Sequence, residues 1–141
     1  MMPWRHPEMF LQKALLPFLF VALSFSTSPS FGTETVIVNK TFHGREIKIR
    51  VGGLIRIDLE ELGSAGYVWE IQDLDKDHFD VVDVRTEGPP PSGDVTGKPI
   101  VKTWLIRAKK AGKAELKLLY HRPWESEKEA IERFFIRVRI L

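Results

Sequence analysis

Ile47-Lys48-Ile49-Arg50-Val51-Gly52-Gly53-Leu54-Ile55-Arg56-Ile57-Asp58-Leu59 decides the fold class. Ile47, Ile49 and Val51 alternate with Lys48 and Arg50, and Ile55, Ile57 and Leu59 alternate with Arg56 and Asp58. Successive side chains of an extended chain point to opposite faces, so each half reads as a strand with one buried and one solvated face. Gly52-Gly53 between them permits a tight turn. The period recurs on both sides. Val36-Ile37-Val38 comes first, and Tyr67, Trp69 and Ile71 alternate with Val68, Glu70 and Gln72. In Phe79-Asp80-Val81-Val82-Asp83-Val84 the paired valines predict a bulge or burial on both faces. Runs at 103–108, 114–120 and 134–140 complete the set, with Ile136, Val138 and Ile140 facing away from Arg137 and Arg139. Seven to eight short strands between Gly-rich and charged turns predict an all-β fold, an antiparallel β-sandwich. Only 126–133 hints at a helical period, and it reads as a solvated helical turn or a plain loop.

The 141 residues suffice for one domain, here 33–141, behind an N-terminal segment of another kind. Residues 1–32 read as a signal peptide. Arg5 and Lys13 precede the apolar run Ala14-Leu15-Leu16-Pro17-Phe18-Leu19-Phe20-Val21-Ala22-Leu23-Ser24-Phe25, which is short for a membrane span. Ser26, Thr27, Ser28 and Ser30 follow, and cleavage is expected after Ser30 or Gly32. The mature chain is then periplasmic or secreted, with no membrane attachment.

The chain has no cysteine. That excludes disulfides, a lipidated cysteine, a cysteine nucleophile and thiolate metal sites. An exported domain of this kind must be held by core packing alone. The net charge of +2 falls to about +1 without Arg5, Lys13 and Glu8, and both signs are interspersed, so no nucleic-acid partner is indicated.

Catalytic and metal patterns are absent. Gly63-Ser64-Ala65-Gly66 is not a nucleophile elbow, because its serine precedes a strand. His43, His78 and His121 lack the spacing of a metal pair and read as surface histidines. Asp73-Leu74-Asp75-Lys76-Asp77 opens like a calcium loop, but His78 and Val84 stand where that loop needs Gly and Glu. No cofactor, metal or enzymatic activity is expected.

Three connections carry more special residues than a turn requires. The first is Leu62-Gly63-Ser64-Ala65-Gly66, leading into Tyr67-Val68-Trp69. The second runs from Gly88 through three prolines to Pro99 and includes Gly93-Asp94-Val95-Thr96-Gly97. The third is Arg122-Pro123-Trp124-Glu125, following Tyr120-His121. Alternate connections of a sandwich cluster at one end, so these three predict one composite edge. Arg, Trp and Tyr are favoured anchors of protein interfaces. Trp104, in mid-strand, reads as core.

These residues carry a resemblance. From Val36 to the C-terminus the chain resembles the chagasin-like inhibitors of papain-type cysteine peptidases, small immunoglobulin-like exported proteins. The likeness is best in Val51-Gly52-Gly53-Leu54-Ile55-Arg56-Ile57, Gly66-Tyr67-Val68-Trp69-Glu70, Ala111-Gly112 and Tyr120 through Glu125. The family's Arg-Pro-Trp stands unchanged at Arg122-Pro123-Trp124. Its first-loop Asn-Pro-Thr-Thr is replaced by Leu62-Gly63-Ser64-Ala65, and of its Gly-x-Gly-Gly only one glycine survives near Gly97. The resemblance implies an immunoglobulin-like sandwich that acts as a monomer and plugs a papain-like peptidase cleft with three loops. Gly63, Ser64, Ala65 and Gly66 would form the first contact, 93–97 the second, and Arg122, Pro123 and Trp124 the third. Tyr67, Trp69 and Tyr120 would support them. The alternative is an exported immunoglobulin-like accessory module that keeps the scaffold without inhibition.

Overall fold

A computed structural model describes residues 32–62, 65–88 and 99–141. The expected signal peptide at 1–32 therefore lies outside the described residues apart from Gly32.

Eight strands run in order: β1 (Thr35–Asn39), β2 (Glu46–Ile49), β3 (Leu54–Glu61), β4 (Val68–Gln72), β5 (Phe79–Glu87), β6 (Ile100–Ala108), β7 (Gly112–His121) and β8 (Glu132–Ile140). They form two four-stranded sheets, ordered β1-β3-β6-β5 and β2-β8-β7-β4. The alternation carries through to burial. Ile55, Ile57 and Leu59 of β3 are buried, as are Trp104, Ile106 and Ala108 of β6. Facing them are Leu116, Leu118 and Tyr120 of β7 and Phe134, Ile136, Val138 and Ile140 of β8. With no disulfide available, this interdigitated layer holds the sheets together by removing apolar surface from water.

The eight-strand sandwich matches expectation; its pairing is mixed rather than wholly antiparallel. β1 runs parallel to β3 and β2 parallel to β8, while the remaining pairs are antiparallel. The reason lies in two crossings. After β1 a 3₁₀ turn at Lys40–Phe42 takes the chain from one sheet to the other. The Gly52-Gly53 turn then brings it back, so β2 and β3 belong to opposite sheets. Gly52 sits at φ 88°, and a β-carbon on Gly53 would lie 2.6 Å from Ile49 Cγ1, so both positions require glycine. The valine pair of β5 is a bulge: the register with β6 shifts between Val81 and Asp83, leaving Val82 exposed.

Candidate functional site

The strand registers bring three connections to one pole. Glu61 at the end of β3 pairs with Ile100 at the start of β6, and Glu87 at the end of β5 with Val101. In the facing sheet Val68 at the start of β4 pairs with His121 at the end of β7, and Tyr120 with Glu132. The connections at 62–67, 88–99 and 122–131 therefore all leave from this end. Leu62 N–H donates to Tyr120 Oη at 2.9 Å, joining the two sheets there.

The third loop opens with a β-turn. Glu125 N–H donates to the Arg122 carbonyl at 2.9 Å, which places Pro123 second and Trp124 third. Proline's fixed φ suits the second position of such a turn. The turn throws Trp124 outward, leaving it 72% exposed. The stretch at 126–133 resolves into a 3₁₀ turn, Glu127–Glu129, closed by a reciprocal capping box between Ser126 and Glu129. Gln72 Nε2 donates to Glu127, Arg133 donates to the Glu127 carbonyl, and Ile131 N–H returns to the Tyr120 carbonyl.

Arg122 couples this loop to the first one. Its Nε donates to the Ala65 carbonyl at 2.9 Å, and its guanidinium carbon lies 4.6 Å above the Tyr67 ring. Another nitrogen donates to Glu125 at 3.1 Å, a bond that raises the Arg122 pKa further and keeps the group charged. A lysine could not make these contacts together, because they exploit a planar fork of donors. Beneath lies an aromatic stack: Tyr120 sits 4.9 Å from Trp69 and 5.6 Å from Tyr67 between ring centroids. Gly66 adopts φ 77°, and the six-membered ring of Trp124 covers its α-carbon.

The structure thus gathers Ala65, Gly66, Tyr67, Trp69, Tyr120, Arg122, Pro123 and Trp124 at one pole. Gly63 and Ser64 of the first loop, and Gly93, Asp94, Val95, Thr96 and Gly97 of the second, lie outside the described residues. Their flanks Gly88 and Pro99 are at this pole, next to the paired ends of β5 and β6. Trp69 is fully buried with its indole N–H donating to the Glu60 carbonyl at 2.9 Å, and Trp104 is core.

One expectation needs correction. His121 is not a surface histidine: it is buried at the end of β7, its Nε2 2.7 Å from Glu70. Glu127, in the segment that follows, binds Gln72 of β4 and Arg133 of β8, a long-range arrangement that strand parity alone does not reveal. Glu61 and Lys102, which no motif singles out, bind the backbone of Trp69. A signal existed. Glu61 shares strand parity with Ile55, Ile57 and Leu59, and Lys102 with Trp104 and Ile106, so both charges fall on the inward face.

Among the described residues no group of three or more His, Asp or Glu side chains is arranged to hold a metal ion. What remains is one pole of an immunoglobulin-like sandwich, where Arg122 and Trp124 contact Ala65 and Gly66 and Trp124 is exposed. An exposed tryptophan beside an arginine that joins two loops is the kind of surface protein interfaces use as an anchor. The chain belongs to the chagasin family: residues 48–138 match the Chagasin family peptidase inhibitor I42. It is 28% identical over 114 residues to Amoebiasin-2 of Entamoeba histolytica, covering 81% of this chain and 89% of that one. It is 25% identical over 104 residues to Chagasin of Trypanosoma cruzi, covering 72% and 94%. The crystal structure of the cysteine protease inhibitor EhICP2 from Entamoeba histolytica superposes with a TM-score of 0.68 at 27% identity, covering 77% of this chain and 97% of that one.

Proposed function

We propose that this chain is a reversible protein inhibitor of papain-like cysteine peptidases, and that it acts by filling the active-site cleft with the pole built from 62–67, 88–99 and 122–131. The observation that carries the reading is the coupling of two loops into one body. Arg122 holds the Ala65 carbonyl, and Trp124 lies on Gly66 while remaining largely exposed. Loop segments already joined before binding, as Ala65 and Gly66 are to Arg122 and Trp124, lose less entropy on docking, so more of their contact energy appears as affinity. Tryptophan and arginine at the centre of such a surface are favoured anchors. Family membership and the likeness to a cysteine protease inhibitor point the same way.

In this reading the chain has no chemistry of its own: the peptidase keeps its catalytic thiol and is denied substrate. The missing hydroxyl at Ala65 and the altered second loop make affinity, rather than binding mode, the property most exposed to change. We place this action outside the cytoplasm, on the strength of the signal-like segment 1–32, with cleavage after Ser30 or Gly32.

Titration of the purified chain against papain tests the proposal. Loss of activity at one-to-one stoichiometry, reversed on dilution, supports it. Full peptidase activity at micromolar inhibitor contradicts it.

A further inference from the structure

β4 lies at the edge of its sheet, so one side of its backbone has no strand partner among the described residues. At Trp69 that side is taken by two charged side chains reaching across from the facing sheet. Glu61 Oε2 accepts the Trp69 N–H at 3.1 Å, and Lys102 Nζ donates to the Trp69 carbonyl at 2.8 Å. Glu61 is only 7% exposed, and the half-buried Lys102 ammonium sits 5.3 Å from the centre of the Trp104 ring. Charges withdrawn from water this far are costly unless hydrogen-bonded, and here their partners are peptide groups rather than each other.

The placement is informative. Glu61 is the last residue of β3, immediately before the first loop, and Trp69 lies just inside β4, immediately after it. One carboxylate therefore ties both stems of that loop across eight residues. The bond from the Trp69 indole to the Glu60 carbonyl is a second tie between the same two stems. Lys102, from a third strand, holds the carbonyl of the same residue.

Resting on the inhibitory reading above, we infer that Glu61 and Lys102 are positioning residues for inhibition: they hold the stems of the first loop in the docking arrangement without touching the peptidase. A loop held there only part of the time weakens apparent affinity by the fraction of molecules that are competent. Molecules with the loop elsewhere cannot engage, so the loss falls on the association rate. A contact such as Trp124 acts instead on dissociation, where interface substitutions usually register.

Two measurements on Glu61→Ala, Glu61→Gln and Lys102→Met test this. Amide hydrogen exchange on the free chain needs no peptidase. Glu61→Ala and Lys102→Met should speed exchange of the amides at 65–69 by roughly tenfold or more, with β7 and β8 unchanged, because local opening is read separately from global unfolding. Stopped-flow association with papain should slow roughly tenfold for Glu61→Ala, with dissociation altered less than about threefold. Glu61→Gln keeps a carbonyl oxygen for the Trp69 N–H and should recover most of that rate.

Wild-type exchange at 65–69 in Glu61→Ala overturns the inference. So does faster exchange spread evenly through β7 and β8, which would make the carboxylate a support of the whole fold. A loss confined to dissociation, or a Glu61→Gln as slow as Glu61→Ala, also overturns it. If the wild-type chain leaves papain fully active, the inhibitory reading fails by itself, and exchange at 65–69 still decides whether the clamp holds the loop.

Discussion

The indole of Trp124 covers the α-carbon of Gly66, so closely that a β-carbon there would overlap Cη2 and stand 3.2 Å from Cζ2. Gly66 also sits at φ 77°, a region that costs other residues roughly 1–2 kcal/mol. The glycine is thus required twice, once by its backbone and once by the ring above it. Through this contact the first and third loops share one shape.

Gly66→Ala should therefore lower inhibition by at least about tenfold, equivalent to roughly 1.4 kcal/mol, by tilting Trp124 away from the pole. Titration against papain, with the thermal midpoint measured in parallel, checks this. Unchanged inhibition would mean that the orientation of the ring is immaterial.

Trp124→Ala should weaken binding by about 2 kcal/mol or more, as truncated interface anchors do. Its side chain is 72% exposed, so thermal stability should hardly move. The opposite pattern, a collapsed midpoint with inhibition intact, would place Trp124 in the core.

Arg122→Lys should fail to rescue Arg122→Ala. The guanidinium serves the Ala65 carbonyl, the Tyr67 face and Glu125 at once, and an ammonium point charge cannot span them. Inhibition constants for the two variants should agree within about threefold, against roughly tenfold or greater loss from wild type. A lysine variant close to wild type would reduce the role of Arg122 to its charge.

At the far end of the sandwich, Asp75 is held below the usual carboxylate range, first by its hydrogen bond to His78 at 2.7 Å and further by the backbone N–H groups of Asp77 and His78. A depressed carboxylate binds fewer protons folded than unfolded, so its stabilisation is present above the unfolded pKa of about 3.9 and fades as pH falls below it. Wild type should be more resistant to urea than Asp75→Asn at pH 5, with the difference shrinking at pH 3. A constant difference across that range would show that the charge is not involved.

How much of this was legible beforehand divides along physical lines. The alternation of Ile55, Ile57 and Leu59 with charged neighbours states local strand geometry, and burial follows it directly. The turn at Pro123 is equally local, set by proline's φ and by one hydrogen bond, whereas the seat of Trp124 on Gly66 joins residues 58 positions apart and is not. Partners in the sheet are not local. Nothing in the residues around Gly52-Gly53 says that β2 and β3 part into opposite sheets, because a glycine turn serves a hairpin and a crossing alike. The Arg122 bond to Ala65 spans 57 residues and exists only once both loops have been carried to one pole. Glu61 and Lys102 fall between these cases. Their parity was visible, but charged residues at strand ends are commonly solvated, and only the free edge of β4 gives these two something to bind.

The central claim is that this pole enters the peptidase cleft, and competition for the cleft tests it most directly. Papain whose active site carries a covalently attached peptidyl inhibitor should lose all measurable binding to the chain, while unmodified papain binds it one to one. Equal binding to both forms would contradict the account, since the contact would then lie away from the cleft.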